Sequence, residues 1–204
     1  MAKDYSKSSF KILVDREKLP LFTTLLQTGI EVETTTTTSL GGLLAQIKGF
    51  TADYLADTVQ TIFLDGTAVD DLTLLLAGSN PVLALSGAMP GLAGAIFRKN
   101  SFHAALRTDT AAAQSQHIAT EPNCVTLKLF NRVARERGLD LLQRGVTVKG
   151  ANVLSFFSKR SDLWPYIHRL ESAGHDISQE KFLEYASISD TLGLCITHDN
   201  DATR

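Results

Sequence analysis

The chain has 204 residues, 44% of them hydrophobic and 21% charged, and that apolar share excludes disorder over most of its length. A net charge of −2 argues against a nucleic-acid binder. Two cysteines, Cys124 and Cys195, supply neither a disulfide framework nor a metal-ligand set, so no metal and no cofactor is expected.

Taken in chain order, residues 10–14 read as a short strand rich in β-branched and aromatic residues. Residues 30–38 read as a second, ending in five threonines whose branched Cβ suits a pleated surface. Ser39 then opens a helix in which Leu40, Leu43, Leu44 and Ile47 share one face, and residues 52–59 continue it beyond Gly49. Residues 60–64 form a third strand closed by the turn pair Asp65–Gly66. A loop at 77–80 leads to a fourth strand at 81–85, and a helix runs from Leu92 toward Arg107. Residues 108–123, with few large apolar side chains, read as a linker or long loop.

The second half starts with a strand at 125–130 and a helix to about Gln143, weakened at Gly138. Strands are expected at 146–148 and 152–157. Ser161 caps an expected helix carrying Leu163, Ile167 and Leu170 on one face and ending near Gly174. Asp176 and Gln179 have capping-box spacing for a last helix through Phe182 and Tyr185, and residues 192–197 close as a strand. The fold class is α+β, with domains expected at 1–107 and 124–204 and the linker between them.

Leu25-Leu26-Gln27-Thr28-Gly29-Ile30-Glu31-Val32 aligns with Leu141-Leu142-Gln143-Arg144-Gly145-Val146-Thr147-Val148 at a constant offset of 116, and the same offset aligns residues 13–16 with 129–132. Each copy reads as strand, helix or turn, glycine, strand, so the second α/β module is expected to be a partial internal repeat of the first.

Charge is segregated along the chain. Residues 19–97 hold one basic side chain against seven acids, and residues 98–160 hold eleven against four. Such blocks either neutralise each other within the fold or meet an anionic partner. The glycine-rich run Ser86-Gly87-Ala88-Met89-Pro90-Gly91-Leu92-Ala93-Gly94 follows a strand and precedes a helix, which lets backbone N–H groups approach an anion. Its spacing matches neither phosphate-loop signature. With Arg98, Lys99 and His103 it forms the expected ligand site: Ser86, Gly87, Gly91, Gly94, Arg98, Lys99 and His103. The five histidines are scattered and Asp70–Asp71 reads as turn chemistry, so no catalytic set is assigned.

Residues 9–91 resemble the β-grasp, ubiquitin-like fold of the small sulfur-carrier proteins. The resemblance rests on the strands at 10–14 and 31–36, the helix opening Ser39-Leu40-Gly41-Gly42-Leu43-Leu44, Ile62-Phe63-Leu64-Asp65-Gly66, Val69-Asp70-Asp71, and the strand 82–85 followed by glycine. It implies a β-grasp-like mixed sheet in the first half. Those carriers end in a free Gly–Gly activated at its carboxylate. Here the chain runs on through Gly91, so the resemblance implies a binding module rather than a thiocarboxylate carrier.

Two functions are therefore expected as alternatives. One is binding to a protein partner or a second copy of the chain, through strand edges and the aromatic second half. The other is binding of a small anionic ligand at the Gly-rich loop. The polar N-terminal residues lack a secretory layout, and the near-uncharged stretch 72–97 is interrupted by Gly78, Pro81, Gly87, Pro90 and Gly91. The expected setting is thus cytoplasmic, without membrane or nucleic acid.

Overall fold

The computed structural model describes residues 9–34, 38–77, 80–107 and 124–198. Part of the threonine tract, part of the expected loop at 77–80 and all of the expected linker at 108–123 lie outside them. The described residues form helices and ten strands with both parallel and antiparallel pairing, an α+β fold. By its contacts the chain falls into two compact units, residues 1–31 with 137–204, and residues 32–136.

In the first unit, β1 (Ser9–Val14) lies between β10 (Thr191–His198), which runs parallel to it, and β8 (Ile167–Ser172), which runs antiparallel. β1 buries Phe10, Ile12 and Val14, and Phe10 packs edge-on against Phe182 at 5.3 Å between ring centroids. Phe182 belongs to α6 (Gln179–Ile188), so the apolar face of β1 is completed by the C-terminal segment. Beyond β10, β7 (Val146–Lys149) pairs with β10 and with β2 (Ile30–Glu33), antiparallel in both cases.

Three local expectations are corrected here. Residues 152–157 belong to the helix α5 (Gly150–Lys159), not to a strand. Gly150, Val153, Phe156 and Phe157 are its buried positions, and the i, i+3, i+4 spacing of the last three is helical. Residues 161–174 form a short 3₁₀ segment, Ser161–Tyr166, and then β8. Pro165 removes a helical N–H and turns the chain into the strand. Ala173 (φ 51°) and Gly174 (φ 79°) then make the tight turn to β9 (His175–Asp176). The last helix is capped by Ser178, whose hydroxyl accepts from the Lys181 N–H at 3.2 Å, while Asp176 pairs in β9.

Ile30–Glu33 maps onto Val146–Lys149 residue for residue. Gly29 (φ 110°) and Gly145 (φ 95°) both sit in the left-handed region that glycine alone enters freely.

In the second unit, Ser39 caps α1 (Leu40–Gln46), accepting from the Gly42 N–H, and Thr51 caps α2 (Ala52–Asp57). The sheet runs β4 (Thr67–Ala68), β3 (Thr61–Leu64), β5 (Val82–Ser86), β6 (Cys124–Phe130). β3 is antiparallel to both its neighbours, and β5 is parallel to β6. The expected helix 92–107 is broken: α3 (Gly91–Phe97) ends where Arg98 turns extended, Asn100 takes φ 53°, and Ser101 caps a separate 3₁₀ turn, Phe102–Leu106. α4 (Asn131–Arg144) follows β6 without a linker residue.

Candidate functional site

The two faces of the β3–β5–β6 sheet differ. Ile62, Leu64, Leu83, Leu85, Val125, Leu127 and Leu129 point to one face and are each at most 5% exposed. The alternate positions form the other face, as the two-residue period of a strand requires. There Phe63 stands opposite Ala84 across β3 and β5, and Ala84 beside Lys128 across β5 and β6. The alanine between two long side chains leaves a hollow. Phe63, Gly66, Val82, Ala84, Ser86, Met89, Lys128, Phe130 and Asn131 line the resulting cleft of about 450 Å³.

One end of it lies at the carboxyl ends of the two parallel strands, where α/β sheets place ligands. Ser86 ends β5, is 4% exposed, and its Oγ accepts from Asn131 Nδ2 at 2.9 Å. Asn131 joins β6 to α4 at φ 52°, a conformation that costs a non-glycine residue about 1 kcal/mol or more. It also places the first N–H groups of a 14-residue helix, with no acidic side chain in the first turn, at the same end. Thr61 is paired with Ser86 in register, on the same face. Its Oγ1 is 1% exposed as a residue and has no hydrogen-bond partner among the described residues. Lys128, half-buried on the cleft wall, has no ion-pair partner among them either.

The residues expected at the ligand site are distributed as follows. Ser86 lines the open-face cleft. Gly87 is buried beside it, where a Cβ would stand 2.8 Å from Arg132 Cβ. Gly91 starts α3 at φ 75°, and Gly94 packs so closely on the Met89 carbonyl that no side chain fits. Both glycines therefore shape the Met89 wall. Arg98 is exposed and follows directly on α3. His103 is exposed, its ring edge-on to Phe102.

Lys99 goes elsewhere. Its Nζ donates to the Leu55 carbonyl at 2.6 Å, and it lines a second cleft of about 490 Å³ with Gly41, Ala45, Phe50, Leu72 and Asp70. Burial lowers the Lys99 pKa below the ordinary lysine value, and the Asp70 and Asp57 carboxylates act in the opposite direction.

Lys128 and Asn131 are not among the residues expected at the site. A signal for Lys128 exists: it interrupts the run Val125-Thr126-Leu127-Lys128-Leu129-Phe130 at a position alternating with buried leucines. The basic block containing both is neutralised in part at short range. Arg132 pairs with Glu136, Arg144 with Asp140 at 2.8 Å, and Arg107 with Asp70 at 2.9 Å.

Comparison of the chain with protein-family models, with curated proteins and with solved structures returns no match. Among the described residues no helix is long and apolar enough to cross a membrane, and no cluster of His, Cys, Asp and Glu could hold a metal ion.

Proposed function

We propose that residues 32–136 form a small-ligand-binding unit whose open sheet face takes a molecule with an apolar body and one anionic head. The observation that carries this reading is the hollow at Ala84, walled by Phe63, Met89 and Phe130 and bordered by the Lys128 ammonium. Apolar walls with a few polar groups are the usual make-up of ligand sites. Ser86, Asn131 and the start of α4 add donors at one end. Ser86 Oγ accepts from an amide and touches no general base among the described residues, which supports binding rather than acyl transfer.

Thermal denaturation with octanoate and with phenyl phosphate tests the reading. A ligand that binds only the folded state raises the midpoint by mass action. The rise is expected for the parent protein and lost in Lys128→Met and Ala84→Phe. An equal rise in all three proteins, or none in the parent, overturns it.

A second reading, association with a protein partner or another copy, draws on a different feature. Leu92, Phe102 and Leu106 are 69%, 94% and 64% exposed within one short stretch of the second unit, and clustered exposed apolar residues mark contact surfaces. Of the aromatic second half, expected to carry such contacts, Phe156, Phe157 and Phe182 are buried in the core of the first unit, while Trp164 and Tyr166 are half-buried. Native mass spectrometry reads the outcome directly, as a multiple of 22.2 kDa that disappears in Phe102→Ser.

A further inference from the structure

The second cleft of this unit is chemically unlike the first. Its walls carry small side chains, Gly41 and Ala45 on α1 and Ala52 and Ala56 on α2, over the buried rings and branches of Phe50 and Leu55. One amine lines it. The Lys99 backbone is fixed by its N–H to the Gln60 carbonyl at 2.7 Å, and its Nζ uses a single acceptor, the Leu55 carbonyl. No carboxylate lies within ion-pair distance of that nitrogen among the described residues. Asp70, on the cleft rim, is engaged by Arg107.

We propose that Lys99 is a covalent capture site for small aldehydes or ketones, which it takes up as an iminium ion. In this step the amine nitrogen bonds to the carbonyl carbon. The carbonyl oxygen leaves as water with two of the three ammonium protons, and the positive charge stays on nitrogen. The iminium keeps one N–H, which is the number that the Leu55 carbonyl already accepts, so the anchoring hydrogen bond survives the reaction. The charge that remains is stabilised by the nearby Asp57 and Asp70 carboxylates. The same two carboxylates disfavour an anionic ligand, which points to a neutral carbonyl compound. Apolar walls favour its short hydrocarbon chain. Removing an amine from water raises the share of its neutral, nucleophilic form, and the direction of the Lys99 pKa agrees.

The test is reductive trapping with butanal and sodium cyanoborohydride at neutral pH, the modified lysines being mapped by proteolysis and mass spectrometry. Lys48 and Lys181, both exposed, give the rate of an ordinary lysine. Lys99 is expected to react at least about ten-fold faster, with a rate that saturates as butanal is raised. Filling the cleft with Ala45→Phe, or with Ala56→Phe should the first not fold, is expected to bring Lys99 down to the reference rate while Lys48 and Lys181 are unchanged. A Lys99 rate equal to the references, or one that stays linear in butanal and indifferent to cleft filling, overturns the proposal. The two clefts share no lining residue, so failure here does not bear on the open-face cleft.

Discussion

Asn131 Nδ2 donates to Ser86 Oγ at 2.9 Å, tying together the carboxyl ends of two parallel strands that are 45 residues apart in the chain. The bond orients a buried hydroxyl and holds an asparagine at φ 52°. Replacing Asn131 separates the two effects. Asn131→Gly relieves the backbone strain while losing the hydrogen bond, and the two nearly offset. Asn131→Ala loses the bond and keeps the strain, costing about 1–3 kcal/mol. Urea denaturation of both variants measures the difference, and a stability in Asn131→Ala equal to that of Asn131→Gly would show the backbone is not strained there.

Gly138 sits in the middle of α4, where glycine weakens a helix by about 1 kcal/mol relative to alanine. A Cβ there would lie 2.9 Å from Leu26 Cδ1 and 3.0 Å from Thr23 Cγ2, on the 3₁₀ segment Leu19–Gln27. Leu26 is fully buried, with little room to move. Gly138→Ala should therefore destabilise the protein, by about 1–3 kcal/mol of overpacking less the helical gain. A rise in the urea midpoint would mean that the segment yields.

Asp71 accepts from the Thr73 N–H at 2.8 Å and from the Thr73 hydroxyl at 2.6 Å. These bonds, the hydroxyl's first, hold its pKa below the ordinary carboxylate value of 3.8. The carboxylate's contribution to stability is then complete above that value and is lost as the pH falls through the lower folded-state pKa. Asp71→Asn is expected to lower stability at neutral pH and to flatten the acid limb of a stability–pH profile below about pH 4, so that the two proteins converge in acid. An acid limb identical in both proteins would place the loss at other carboxylates.

Phe102 is 94% exposed, so its removal from the folded chain costs little. Phe102→Ser should change stability by less than about 0.5 kcal/mol. A larger loss in chemical denaturation would show that the side chain is covered in solution.

Much of the fold could be read from local chemistry. Ser39 before Leu40, Leu43 and Leu44 marks a helix start whatever lies around it, and Asp65–Gly66, at φ 50° and 81°, makes the expected tight turn. Short apolar runs were less legible. Residues 152–157 suit a strand or a buried helix by composition, and only the burial of Val153, Phe156 and Phe157 decides. Strand order was not legible at all, because the partner of β1 lies almost the whole chain away in β10. The site suffered in the same way. Ser86 and Gly87 stood out as a small-residue turn, but Lys128 and Asn131 join them through a parallel pairing that spans 44 or more residues. Lys99 followed the run closely in sequence yet turns to the α2 side, since its backbone is bonded to Gln60 and its amine to Leu55.

The most direct test of the central claim is an amide NMR titration of the full chain with octanoate. The account predicts shifts concentrated at Ala84, Ser86, Lys128, Phe130 and Asn131, saturating with ligand and abolished by Lys128→Met. Shifts centred elsewhere, or a titration that Lys128→Met leaves unaltered, would contradict a ligand site on the open face of the β3–β5–β6 sheet.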